Sequence, residues 1–182
     1  APMAQAGQVA HRRQRAGPVD ALDGRGDAHY TLGDYEAAVD DYSAAIELND
    51  SYDGYFVDRG NAYYGLNEFE QAGKDYEQAL ELNPDNGSAY VGLGNIDYVN
   101  GDYDSAIDKY SQAIERQPED AFFYRNRGNA YREQGELEAA IDDYSAAIDL
   151  DPQDAEGYLR RAQAYTAQEE YESALTDLDT AA

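Results

Sequence analysis

Four arginines and four aspartates recur in this chain sixteen residues apart: Arg25 with Asp41, Arg59 with Asp75, Arg127 with Asp143, and Arg161 with Asp177. A guanidinium ladder can bind anions, or it can lock onto carboxylates of its own chain in bidentate pairs. Where the series breaks, both members change together, because Leu93 stands in the arginine place and Lys109 in the aspartate place. Half of such a pair, left alone in a shielded contact, is costly. The expectation is therefore four structural ion pairs rather than an anion site. A second series, Asn61, Asn95 and Asn129, offers a donor and an acceptor on each side chain, which suits the backbone of an extended peptide. One helical turn further come Tyr30, Tyr64 and Tyr98, and then Arg132, with apolar area to flank such a peptide. Neither the asparagine nor the tyrosine row is expected to be needed by the core.

Other chemistry is missing from the sequence. With no cysteine, disulfides, thiolate nucleophiles and cysteine metal sites are excluded. There are two histidines, His11 near the N-terminus and His29 at a place that reads as core-facing, so neither suits a general base or a metal ligand. No phosphate-cradling glycine loop, nucleophile elbow or histidine metal motif occurs. The stretch from Asn49 to Gly60 has a superficial likeness to a calcium loop, but it lacks the leading Asp and ends in Gly instead of Glu. The expectations are no catalysis, no metal and no cofactor.

The 38 acidic residues outnumber the 13 Lys plus Arg, for a net charge of -25, which repels nucleic acid and anionic lipid surfaces. The 23 Asp against 15 Glu, with lysine only at positions 74 and 109, resembles the surface of proteins from high-salt cytoplasms; the alternative is an ordinary source in which the charge keeps the chain soluble and monomeric. No apolar run approaches bilayer-spanning length and no signal-like stretch is present, so a soluble chain is expected, cytoplasmic, with a periplasmic or secreted one as the alternative.

The elements that position these residues follow from a repeat. Gly-Asn-Ala-Tyr occurs at Gly60 to Tyr63 and again at Gly128 to Tyr131, and Asp-Asp-Tyr-Ser-Ala-Ala-Ile at Asp40 to Ile46 recurs at Asp142 to Ile148. Both spacings are multiples of 34 residues. The frame gives repeats 19–52, 53–86, 87–120, 121–154 and 155–182, behind a flexible basic tail over residues 1–18 that holds three arginines and no acid. The fourth repeat carries Tyr124, Gly128, Tyr131, Gly135, Leu137, Ala140, Tyr144, Ala147 and Pro152, and the second Phe56, Gly60, Tyr63, Phe69, Ala72, Tyr76, Ala79 and Pro84. This pattern resembles the tetratricopeptide-repeat family. The resemblance implies an all-α, right-handed α-solenoid of five helix-turn-helix repeats, each burying its apolar faces against its neighbours.

It also implies a concave wall lined by the first helices and a role in protein-protein interaction, with a peptide or partner protein held in the groove. On that wall Asn61, Asn95, Asn129 and the tyrosines are joined by Arg125, Arg132 and Arg160, toward which a peptide would direct its acidic end; Asp20, Asp23 and Asp27 lie at the first repeat. Some family members clamp a terminal carboxylate. Asn95, Asn129 and Arg160 match that pattern, while Val91 and Glu156 stand where cations are required, which disfavours a clamp. The alternative is structural self-assembly, or a fragment of a longer repeat protein, pairing through the uncapped C-terminal helix. The fifth repeat stops within or just after its second helix, leaving Ala174, Leu175 and Leu178 with no later helix to cover them.

Overall fold

In the computed structural model residues 17–182 are described, and they form ten α-helices and no strand. These are α1 Pro18–Leu32, α2 Tyr35–Leu48, α3 Asp53–Gly65, α4 Phe69–Leu82, α5 Gly87–Val99, α6 Tyr103–Arg116, α7 Ala121–Gln134, α8 Leu137–Leu150, α9 Ala155–Ala167 and α10 Tyr171–Ala181. Each repeat is one antiparallel pair, from α1 with α2 to α9 with α10. Of the expected tail only Gly17 and Pro18 are described, as the cap and first residue of α1; the rest, with His11, lies outside the described residues. The chain divides between Asn83 and Pro84 into two compact units, the first holding α1 to α4 and the second α5 to α10.

Local chemistry sets the helix ends. The turn inside each repeat passes through one left-handed residue: Gly33, Asn67, Gly101, Gly135 and Glu169, with φ of 78°, 62°, 83°, 82° and 66°. Glycine takes that conformation freely and asparagine at small cost, whereas Glu169 bears the full side-chain penalty. Several first helices are opened by side-chain caps. Asn86 accepts from the Ala89 amide at 3.0 Å, Asp120 from Phe122 at 2.9 Å and Asp154 from Glu156 at 3.1 Å, each satisfying an amide that the helix leaves unpaired.

Within a repeat, the two helices close around a buried tyrosine from the second. Tyr42, Tyr76, Tyr110 and Tyr144 are at most 2% exposed, and they lie against Gly26, Gly60, Gly94 and Gly128. A Cβ at Gly60 would stand 2.7 Å from Tyr76 Cε1, and one at Gly128 2.8 Å from Tyr144 Cε1, so these glycines are dictated by close approach. The fifth repeat shows the complementary change, with Leu178 in the tyrosine place and Ala162 in the glycine place.

Within each unit, successive repeats are joined through the arginine ladder. Arg59 donates to Asp75 through Nε at 2.7 Å and Nη2 at 2.6 Å, and through Nη1 to Ser43 of the preceding repeat at 3.1 Å. Arg127 makes the same three bonds, two to Asp143 at 2.8 Å and one to Ser111 at 3.0 Å. Arg161 bonds Asp177 at 2.8 and 2.7 Å and Ser145 at 2.9 Å. Each of these guanidinium groups lies 5.8–5.9 Å from two ring centroids of its own helix: Phe56 and Tyr63, Tyr124 and Tyr131, or Tyr158 and Tyr165. One side chain thus ties its own second helix to that of the preceding repeat. Arg25 differs. It pairs with Asp41, holding that carboxyl below the usual carboxylate range, but its side chain is 62% exposed against 18–20% for the other three.

Candidate functional site

The asparagine row lies on the first helices, and each amide oxygen is already engaged. Tyr76, Tyr110 and Tyr144 donate their hydroxyls to Oδ1 of Asn61, Asn95 and Asn129 at 2.9, 2.8 and 2.9 Å. In the first repeat Tyr42 donates to Asp27 at 3.0 Å. This corrects the expectation that the row is free of the core. A phenol enclosed between two helices needs an acceptor, and the asparagine oxygen supplies it. Once the oxygen is fixed in this way, the amide NH2 is the group left for a partner. In the fifth repeat, where Leu178 has no hydroxyl, the position is Gln163, and its oxygen accepts instead from Arg132 Nη1 at 3.0 Å.

The tyrosine row is also partly structural. The rings of Tyr30, Tyr64 and Tyr98 pack on Tyr35, Phe69 and Tyr103, the first residues of the second helices, at centroid distances of 5.4, 5.3 and 5.4 Å. Burial pushes all three hydroxyls above the ordinary tyrosine value. Each ring therefore covers its repeat's turn and presents only its remaining face outward.

In the first unit, Tyr30 and Asn61 share an open hollow of about 270 Å³ with Asp27, Thr31, Tyr42 and Asp58. Asp23, Asp27 and Asp58 bring carboxylate oxygens within 4.8 Å of one another there. In a chain with 38 acids such proximity assigns no metal. Asn61 belongs to this unit, and Asn95 and Asn129 belong to the second.

In the second unit, Tyr98 and Tyr144 both feel the charges of Arg132, Arg160 and Glu133. Burial pushes the Tyr144 hydroxyl up to about 12, against the pull of the two arginines. Each arginine proposed for this wall meets an acid of its own chain. Arg132 Nη2 donates to Glu133 at 2.8 Å, Arg160 to Glu156 at 2.7 and 2.6 Å, and Arg125 pairs with Asp154. The positive charge expected here to receive an acidic peptide end is thereby neutralised, as it must largely be in so acidic a chain. Arg125 also stacks at 5.4 Å on Phe122, and the two line an open hollow of about 970 Å³ with Leu150 and Asp154.

Two features escaped the sequence reading. Ser43, Ser111 and Ser145 complete the ladder, and they were legible as a third position sixteen residues before each arginine, broken by Glu77 where Leu93 breaks the ladder itself. Asn126 on α7 has a buried amide nitrogen with no partner among the described residues. Its offset holds Asp58, Gly92 and Arg160 in neighbouring repeats, so nothing periodic marks it.

The geometry can now be set beside known proteins. A family profile described as tetratricopeptide repeat matches residues 57–121, 93–155 and 125–182, and one described as TPR repeat matches residues 26–67. The chain belongs to the tetratricopeptide-repeat family. No curated protein matches it in sequence. Among solved structures, the tetratricopeptide-repeat chain is similar to MamA, at 23% identity over 86% of this chain and 91% of that one, with a TM-score of 0.71. It is similar to YrrB, described as a TPR protein with an unusual peptide-binding site, at 23% identity over 100% and 92%, with a TM-score of 0.63. It is similar to PilF of Pseudomonas aeruginosa at 19% identity over 90% and 74%, with a TM-score of 0.81. At these identities the likeness is one of fold. The tetratricopeptide-repeat fold is that of a protein-interaction scaffold, with proteins or peptides as partners. Among the described residues no helix is long and apolar enough to cross a membrane.

Proposed function

We propose that this chain binds an extended peptide segment of a partner protein along the asparagine-bearing faces of its first helices. The observation that carries the reading is the pair Asn95 and Asn129, one repeat apart on α5 and α7, each with its oxygen fixed by a buried tyrosine. An amide anchored through its oxygen presents its two N–H groups in a set direction, at no further entropic cost on binding. Two such donors, spaced by the repeat, suit the carbonyl oxygens of an extended backbone, with Tyr98 beside them as an apolar flank. Asn61, with Tyr30 and Tyr64, offers the same chemistry in the first unit.

Because Arg132 and Arg160 are matched by Glu133 and Glu156, recognition rests on backbone hydrogen bonding and ring contact more than on the peptide's charge. The first repeat itself supplies a selective test. Asp27 accepts from Tyr42 as the asparagines do from their tyrosines, so an Asn-to-Asp change keeps the internal bond while it removes the outward donors and adds a negative charge. A displayed random-peptide library is selected against the wild type and against Asn95→Asp with Asn129→Asp. Enrichment by the wild type alone, with both proteins folded, is the expected result. Equal enrichment by both contradicts the reading.

A further inference from the structure

The two surfaces that mate at the inner repeat junctions of each unit both have counterparts elsewhere that are exposed among the described residues. At those junctions the incoming first helix presents an arginine and, three residues on, an alanine. Ala62 packs on Ala38 and Tyr42, Ala130 on Ala106 and Tyr110, and Ala164 on Ala140 and Tyr144. Beside each alanine Arg59, Arg127 and Arg161 reach the serine of the preceding second helix. On α1 the same positions are Arg25 and Ala28, and both are exposed. Arg25 has its aspartate but, among the described residues, no serine of a preceding repeat.

α10 carries the opposite face. Leu175 occupies the offset of the half-buried Val39, Ile107 and Ile141 yet is 61% exposed, and Leu178 occupies the offset of the buried tyrosines yet is 41% exposed. Ala174, by contrast, is 4% exposed, so it is already covered and was wrongly grouped with the open residues. At the serine offset of this face stands Asp179, exposed. Arg25, the ladder arginine with no acceptor from a preceding repeat among the described residues, thus has its register match in Asp179, an anion in place of the serine.

We propose that α10 of one copy of this chain receives α1 of a second copy, with Ala28 entering between Ala174 and Leu178 and Arg25 bonding Asp179. The occupant is argued from three agreements. The register is that of the inner junctions, the small residue meets the face that small residues fill inside the molecule, and the charges are opposite. An N–H donor on guanidinium facing carboxylate also bonds more strongly than one facing a hydroxyl. The contact uses different surfaces on the two copies, so it propagates head to tail instead of stopping at a symmetric pair. A charge of -25 on each copy opposes the approach, so association strengthens as salt screens it.

The test is sedimentation velocity on the 182-residue chain over a wide concentration range, at about 0.5 M salt where the screening length is roughly 4 Å. The mass of the wild type is expected to rise with concentration. Asp179→Arg, which faces Arg25 with a like charge, is expected to stay monomeric, while Asp179→Ser, the residue of the inner junctions, keeps associating. Both positions are exposed, so circular dichroism should show unchanged helix content. Direction is read with a second variant, Ala28→Glu, which puts a bulky acid at the exposed position that must enter between Ala174 and Leu178, beside Asp179, and so blocks α1. Alone it should be monomeric, and mixed with Asp179→Arg it should give a dimer. A wild type that is monomeric throughout, an Asp179→Arg chain that associates like the wild type, or an α1-blocked chain that self-associates would each overturn the proposal.

Discussion

Breaking the Arg127–Asp143 pair from one side should cost more than removing it altogether. Asp143 is 5% exposed, and the Arg127 guanidinium is enclosed by the Tyr124 and Tyr131 rings and by Ser111. Asp143→Ala leaves that cation shielded from water with one hydroxyl for company, and Arg127→Leu leaves a buried carboxylate with no donor. Each change should lose about 3–5 kcal/mol. In the double variant no charge is stranded, and the remaining loss is the side-chain packing and the Ser111 bond, about 1–3 kcal/mol. The coupling energy should therefore be at least about 2 kcal/mol. The assay is urea unfolding followed by far-ultraviolet circular dichroism for the wild type, both single variants and the double. A double variant whose loss equals the sum of the singles within about 0.5 kcal/mol would refute the reasoning.

Three further outcomes follow from the packing. Gly128→Ala should lower the melting temperature, because a Cβ 2.8 Å from Tyr144 overpacks the helix pair by about 1–3 kcal/mol and outweighs a helix-propensity gain of at most about 1 kcal/mol; adding Tyr144→Leu, as Ala162 and Leu178 are combined in the fifth repeat, should restore part of the loss. Glu169→Gly should stabilise by about 0.5 kcal/mol by relieving a φ of 66°, and a lower melting temperature would count against it. The Tyr144 hydroxyl, raised to about 12 in the folded chain, favours folding fully below the ordinary tyrosine value near 10. That contribution, roughly 3 kcal/mol, is lost as pH climbs from about 10 through 12. Stability measured by urea unfolding across that window should fall less steeply in Tyr144→Phe.

How much could be read from the sequence depends on whether a residue's role repeats. Arg59, Arg127 and Arg161 pair with aspartates in the same relative place, and the joint loss at Leu93 and Lys109 marked the pair as a unit. The glycines of the first helices were legible as small residues for the same reason. The asparagines misled because two demands met on one side chain. Their recurrence suggested a surface, whereas the tyrosine fifteen residues later already required the oxygen; the joint change to Gln163 and Leu178 in the fifth repeat was the overlooked sign. Side chains set by one local environment carried no such signal. Arg125, Arg132 and Arg160 each find a different acid, at a different spacing, and Asn126 recurs nowhere at its offset.

The binding account is tested most directly by the affinity of a selected peptide for the wild type, for Asn95→Asp with Asn129→Asp, and for Gln153→Asp, an exposed loop change that controls for added negative charge. Fluorescence anisotropy of the labelled peptide is the readout, with circular dichroism to show that all three fold alike. Each lost donor bond should cost about 1 kcal/mol, so the double variant is expected to bind at least about tenfold more weakly while the loop variant binds like the wild type. Equal affinity for all three would contradict the assignment of the asparagine donors as the peptide site.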